Sequence, residues 1–344
     1  MKIPSAFRFH LARSTGETPL VTGNRATPRL PYPDGWYAVA FRDELPAGRV
    51  LTRHLTGEDV VLYRTRSGLV RAVRPFCPHL GAHLGHGGRV DGENIVCPFH
   101  HFAFSPSGDC VRTGCGSPPP KARLRLLEVR ETDGIVLVWH HSRGHPAAWE
   151  VRSSKPAEFC PAGHVSYTLA DHPQDVMENS VDTAHGPPIH GMAIDIKGLR
   201  FSGTVMEADL ATTPAKGSSG GFLVSHQVHY SLRLQGLGWL FVDARIPRLR
   251  THVHFWVLPV PVDPLRVEIR LAVNVEECLG LTAPGRTTRL IGKVLAPLIG
   301  LDMAKDFPVW QNKAYVAHPK LTKGDGPIME YRRWAGQFYS EPSP

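Results

Sequence analysis

Residues 77–88 read CPHLGAHLGHGG, and residues 97–101 read CPFHH. The first stretch pairs Cys77 with His79. After seventeen intervening residues, the second pairs Cys97 with His100. Each pair is closed by Pro or Gly and lies between short β-like runs. Two thiolates and two imidazoles at this spacing are a metal set. A tetrahedral zinc site accepts Cys₂His₂, but zinc fingers usually pair Cys with Cys and His with His, with the His pair on a helix. Here each half supplies one of each from a loop. That division suits a [2Fe–2S] cluster in which two Cys hold one iron and two His hold the other.

The surrounding residues carry a family signal. CPHLGAHLGHGG followed by CPFHHFAFSPSG resembles the Rieske motif of ring-hydroxylating oxygenases. The resemblance implies that Cys77, His79, Cys97 and His100 ligate the cluster. The extra loop cysteines of respiratory Rieske proteins are replaced by Ala82 and Phe99, which implies the oxygenase or ferredoxin subtype. His101-Phe102 stands where oxygenases often have Gly-Trp. His83, His86 and His101 are read as neighbours of the cluster, not ligands.

Working outward, runs such as RVLTRHL, DVVLYRT, LVRAV, NIVCPF and IVLVWH alternate with Gly/Pro turns, which predicts a small all-β domain over residues 31–145. Residues 1–30 read as an irregular leader, and HHSRGHPAAWE (140–150) as a linker. Residues 146–344 mix types. HPQDVMENSVDTAH (172–185) reads as a helix with Asp171 as N-cap, ending at Pro187-Pro188. FLVSHQVHYSLRL, HVHFWVLPV and LRVEIRLAVNV read as long antiparallel strands, and the segment from residue 287 is apolar at helical spacing. No repeat or low-complexity tract interrupts this order. The fold class expected is α+β.

At 344 residues with 42% hydrophobic content, the chain has material for more than one core. No run approaches the roughly 20 apolar residues of a membrane span, and no secretory signal opens the sequence. A cytoplasmic protein is expected. Six cysteines in a chain this long are not a disulfide framework. Of the net charge of +8, residues 1–150 carry +6, from 19 Lys+Arg against 13 Asp+Glu. No basic cluster interleaves with aromatics, so nucleic acid is not an expected partner. An acidic protein docking on the first half is a better use of that charge.

A cluster moves electrons, and oxygen chemistry needs a second metal with open positions. Non-haem Fe(II) oxygenases hold iron with two His and one carboxylate. Two His-x4-His pairs exist, His140/His145 and His185/His190. Only the second has Asp182 and Asn179 before it at helical spacing. ENSVDTAHGPPIH resembles the catalytic-iron motif of Rieske oxygenases. For the third ligand, DMAKDFPVWQNK offers Asp302 and Asp306. Asp306 precedes Trp310 and Asn312-Lys313 as in steroid-oxidising members, and Asp302 reads as a solvent-facing helix residue.

The tail DGPIMEYRRWAGQFYS (325–340) resembles 3-ketosteroid 9α-hydroxylase oxygenase components and cholesterol 7-desaturases. That resemblance implies a Rieske domain followed by a helix-grip catalytic domain of antiparallel sheet plus helices, built as a homotrimer. It implies a [2Fe–2S] cluster, a mononuclear Fe(II), O₂ and a hydrophobic, steroid- or sterol-like substrate. Electrons would come from NAD(P)H through a separate reductase, with or without a ferredoxin. Asp182 would link His100 of one subunit to His185 of the next, with Asn179 beside it. Alternative readings are an oxygenase for an aromatic or alkaloid substrate, and an electron-transfer protein. The latter predicts a Rieske domain alone, about a third of this chain.

Overall fold

The computed structural model describes residues 31–153, 160–215, 226–282 and 286–340. The leader read over residues 1–30 and the first residues of FLVSHQVHYSLRL (222–225) lie outside them. The amino-terminal strands are β1 (Gly35–Phe41), β2 (Val50–Leu55), β3 (Glu58–Arg64), β4 (Val70–Val73), β5 (Arg89–Asp91), β6 (Asn94–Val96), β7 (Ala103–Phe104), β8 (Cys110–Arg112), β9 (Leu126–Leu127), β10 (Val129–Thr132) and β11 (Ile135–His140). Among the described residues they form three antiparallel sheets, ordered β1-β11-β10, β2-β3-β4-β9 and β5-β6-β7-β8. The last of these holds the loop from Cys97, and the loop from Cys77 runs between β4 and β5.

The carboxy-terminal half is built on β12 (Gly163–Leu169), β13 (Met192–Ser202), β14 (Val205–Pro214), β15 (Val228–Gln235), β16 (Leu240–Ile246), β17 (Thr251–Asp263) and β18 (Arg266–Glu277). They make one antiparallel sheet in the order β12-β18-β17-β16-β15-β14-β13. The helices are α1 (Pro173–Glu178), α2 (Arg286–Met303), α3 (Phe307–Trp310) and α4 (Ile328–Ala335).

Alternation along the strands gives this sheet two different faces. On β17, Val253 and Phe255 point to α2, packing with Val273, Val275 and Ala296. The intervening Trp256 and Leu258 join Trp36, Trp139, Trp239 and Phe241 on the other face. The Rieske-side sheet therefore rests on the outer face of the large sheet. This explains β1: GWYAVAF is buried at every position because one face meets that aromatic layer and the other meets Val60, Leu62, Val136 and Val138.

Helix α2 lies close on β12. A Cβ on Gly163 would stand 2.6 Å from the Gly292 carbonyl oxygen, and one on Gly300 2.1 Å from the Tyr167 hydroxyl. The absence of these side chains lets the helix approach the sheet and fixes where its last turn, with Asp302, arrives.

Two local expectations are corrected. The N-cap of α1 is His172, whose side chain accepts from the Gln174 amide, and not Asp171. The helix also ends at Glu178, well before Pro187-Pro188. Residues Gly186–His190 form a wider π-type turn closed by Gly191 at φ 70°. Pro187 and Pro188 lack amide hydrogens, so they shape that turn instead of stopping a longer helix.

Candidate metal centres

The cluster loops are held by backbone bonds: the Cys77 amide donates to Ala82 (2.9 Å), Gly81 to Cys77 (3.0 Å) and Cys97 to Phe102 (2.9 Å). Cys77 and Cys97 are 3% and 2% exposed and share a core with Leu84, Ile95 and Phe104. The histidines lie outward: the His79 and His100 ring centroids are 4.7 Å apart, and His79 stacks on Phe102 at 4.3 Å. The four side chains thus sort into a buried Cys pair and an outer His pair, which is the division a Rieske cluster requires. Burial pushes the Cys77 thiol up to about 11, so a thiolate forms here only with a cation to hold it.

The neighbouring histidines behave as neighbours. His83 Nε2 lies 3.2 Å from Asp59 Oδ2, and His83 Nδ1 accepts from the Gly85 amide at 3.1 Å. His101 takes a positive φ of 54°, turning the chain after His100.

In the second half, His185, His190 and Asp306 each offer a ligand atom, and these atoms lie within 4.8 Å of one another. His185 ends the turn that follows α1, and His190 ends the π-type turn. Asp306 stands at the N-cap of α3, yet its side chain makes no capping bond; Oδ2 instead lies 3.2 Å from His190 Nε2. Two imidazoles and one carboxylate, at most partly exposed, suit an Fe(II) with open positions.

Two further acids and an amide border this trio. Asp302 Oδ2 lies 3.3 Å from His190 Nδ1, at an angle outside good hydrogen-bond geometry. The Asp302 side chain is 42% exposed, as expected of a solvent-facing helix residue, but the last turn of α2 also brings it beside the ligand histidine. Burial alone would lower the His190 pKa, but Asp302 and Asp306 outweigh it and raise it to about 9. Asp182 accepts from the amides of Ala184 (2.9 Å) and His185 (3.3 Å). Its carboxylate is 3.8 Å from His185 Nδ1. Burial works to raise Asp182, but the bonds and charge of His185 bring it below the usual carboxylate range. Asn179 Nδ2 donates to His185 Nε2 at 3.1 Å, so the amide borders the trio.

The competing pair separates. His140 Nδ1 lies 3.2 Å from Thr56 Oγ1, and burial lowers its pKa to about 4; the His145 ring instead lies 4.5 Å from that of His141. Neither belongs to a metal-sized group among the described residues.

The tail and the PVWQNK segment have a structural meaning that the sequence did not disclose. Arg332 on α4 grips Glu178 at the end of α1 with two bonds of 2.6 and 2.8 Å. Tyr331 donates to the Gln174 carbonyl at 2.8 Å, and Lys313 lies 3.4 Å from Asp175. Together they clamp the helix that leads into Asn179, Asp182 and His185. A second group was missed altogether: Asp243, His252 and His254 also bring ligand atoms within 4.8 Å of one another. The signal was present as His252-x-His254 on a strand, a spacing that puts both rings on one face.

Comparison with known proteins identifies the family. Residues 35–130 match the Rieske [2Fe–2S] domain, and residues 138–339 match the 3-ketosteroid 9alpha-hydroxylase C-terminal domain. The second match occupies the region that a Rieske electron-transfer protein would lack. The cholesterol 7-desaturase of Bombyx mori is 30% identical, over 91% of this chain and 71% of its own length. A probable 3-ketosteroid-9-alpha-monooxygenase oxygenase component from Rhodococcus rhodochrous is 24% identical, over 91% and 81%. In fold, apo dicamba monooxygenase aligns with a TM-score of 0.65 at 15% identity, over 90% of this chain and 97% of that one. Pseudomonas putida CBB5 NdmA with caffeine gives 0.65 at 19%, over 87% and 89%. The chain belongs to the Rieske non-haem iron oxygenases that carry the 3-ketosteroid 9alpha-hydroxylase C-terminal domain, oxidoreductases with a [2Fe–2S] cluster and a mononuclear iron.

Proposed function

We propose that this chain is the oxygenase component of a two-metal system that hydroxylates or desaturates a steroid- or sterol-like substrate. The observation that carries it is the trio His185, His190 and Asp306, with ligand atoms within 4.8 Å, on a chain that also has a Rieske ligand set. Cys77, His79, Cys97 and His100 hold the cluster; His185, His190 and Asp306 hold the catalytic iron. When bound, these metals supply one-electron transfer and O₂ activation. The protein orients the ligands. Asp302 stands beside His190 Nδ1, Asp182 accepts from the His185 amide, and the α4 clamp holds the segment that carries Asn179 and Asp182.

The same reading places the domain limits at 31–145 and 146–344, with a leader over 1–30. Cytoplasmic location and a homotrimer are part of the same proposal. Among the described residues no helix is long and apolar enough to cross a membrane. Electrons would enter from an NAD(P)H-dependent reductase, directly or through a ferredoxin. Phe76, Leu80 and Phe99, each more than 60% exposed beside the cluster ligands, offer it an apolar docking rim. The test is O₂ consumption by the reduced, iron-loaded protein with sterols, 3-ketosteroids and small aromatics. Uptake is expected with the four-ring compounds. Uptake with aromatics alone would overturn the substrate reading.

A further inference from the structure

The outer face of the large sheet carries a cluster that the oxygenase reaction does not use. Asp243 lies on β16, His252 and His254 on β17, and Glu276 on β18. In register, Asp243 is opposite His254. All four are on the face away from α2, so the sheet separates them from His185, His190 and Asp306. His252 Nε2 lies 2.8 Å from Asp243 Oδ1, and His254 Nε2 3.1 Å from Asp243 Oδ2. Glu276 Oε2 lies 3.3 Å from His252 Nδ1 and 3.6 Å from His254 Nε2. Phe241 stacks on His254 at 5.6 Å and fixes that ring.

A neutral imidazole has one N–H, but His252 faces a carboxylate at each ring nitrogen. With a cation on Nε2, the Nδ1–H would be left to donate to Glu276, the arrangement by which carboxylates orient metal-bound histidines. A tetrahedral ion with bonds near 2.0–2.1 Å needs donor atoms about 3.3 Å apart; one donor atom from each of the three residues lies within 4.8 Å of the others, and His252 and His254 stand 2.8 and 3.1 Å from the two oxygens of Asp243, so a shift of the side chains completes the set. His254 is fully buried and the His252 side chain is 12% exposed, whereas Glu276 is 52% exposed. A groove past Ser231 and Phe241 reaches Asp243 and gives an ion entry. Arg245 also touches Asp243, at 3.1 Å, but its side chain is 61% exposed and can swing out.

We propose that Asp243, His252 and His254 form a third metal site, for a borderline divalent cation of the zinc class, with Glu276 orienting His252. Two imidazoles and a carboxylate are the donors such ions take. Bound there, the ion would tie β16, β17 and β18 together and stabilise the sheet whose inner face packs α2.

The experiment is zinc titration of the full chain with its Rieske cluster intact, in the wild-type background loaded with catalytic iron and in an Asp306→Ala background. The expected result is one zinc per chain in both, retained through gel filtration, with a melting temperature raised by several degrees. Asp243→Asn and, separately, His252→Gln are expected to abolish that zinc and the shift while leaving the Rieske spectrum unchanged. An Asp306→Ala chain that folds with its cluster but retains no zinc would overturn the proposal. So would equal retention in the wild type and in either outer-face variant, which would put the zinc elsewhere.

Discussion

His190 is the residue on which two acids converge, and the atoms they approach distinguish their roles. Asp306 reaches Nε2 and is 5% exposed; Asp302 reaches Nδ1 from the more open end of α2. Asp306→Ala is expected to lose the mononuclear iron and all turnover while keeping the Rieske EPR signal. Asp302→Ala should keep the iron but weaken its binding roughly 10–100-fold, as loss of a group orienting a ligand commonly does. Iron retained by Asp306→Ala and lost from Asp302→Ala would exchange the two assignments. The same residue sets a pH effect. In the iron-free chain the two acids overcome burial and carry His190 from 6.5 to about 9. A histidine raised on folding stabilises the fold fully below about 6.5 and loses that contribution as pH rises through about 9. Iron needs the nitrogen without its proton. The iron-free protein is therefore expected to melt at lower temperature as pH rises from 6.5 to 9, and iron affinity to rise over the same interval. Iron affinity independent of pH there would show that His190 binds iron without releasing a proton. Both histidines and the pair of candidate acids were legible in the sequence. The residues after Asp306 already favoured it over Asp302; that Asp302 also comes within 3.3 Å of His190 was not legible, because it depends on where the last turn of α2 meets the π-type turn.

Among the elements, α2 and α1 show why periodicity stops short of geometry. The existence of α2 follows from its apolar spacing, but Leu290, Val294, Leu298 and Leu301 on its outer side are exposed while Ala296 is buried, so hydrophobicity alone does not say which side meets the sheet. The glycines do. Gly163 on β12 and Gly292 on α2 meet where no side chain fits. Gly163→Ala would put a Cβ 2.6 Å from one backbone atom and 2.7 Å from another, neither of which can yield alone. Such overpacking typically costs about 1–3 kcal/mol. The variant is expected to melt several degrees lower and to hold less mononuclear iron, because the helix that carries Asp302 and leads to Asp306 must lift. A lower melting temperature with full iron content would uncouple the helix seat from the site. For α1, Pro173 marked the start, but the early stop at Glu178 reflects what the sequence could not display: the Arg332 clamp and the carboxylate of Asp182 capping the next turn. Breaking a buried pair such as Glu178–Arg332 is costly because it strands a charge, which accounts for the otherwise opaque EYRRW segment.

At the scale of the whole molecule, both domain types could be read from the ligand motifs, since the spacing of Cys and His is set by the metal. Their mutual placement could not, because the aromatic layer of Trp36, Trp139, Trp239, Phe241 and Trp256 draws on strands far apart in sequence. That layer seats the Rieske strands on the outer face of the large sheet, whereas Asp302 and the catalytic trio lie on the face that carries α2. Within one chain the sheet stands between them. In the proposed trimer electrons would pass between subunits with Asp182 as the contact, a role open to a carboxylate that is 33% exposed and 3.8 Å from His185 Nδ1. Asp182→Asn is nearly isosteric and keeps an oxygen to accept from the Ala184 and His185 amides, so both metals should load normally. It removes the charge that would hold His185 on one side and a neighbour's His100 on the other. After rapid mixing of reduced protein with substrate and O₂, the Rieske absorbance of this variant is expected to remain in its reduced form over many wild-type turnovers. Reoxidation at the wild-type rate would leave Asp182 as a cap on the turn before His185 and nothing more, and the route between subunits would have to run elsewhere.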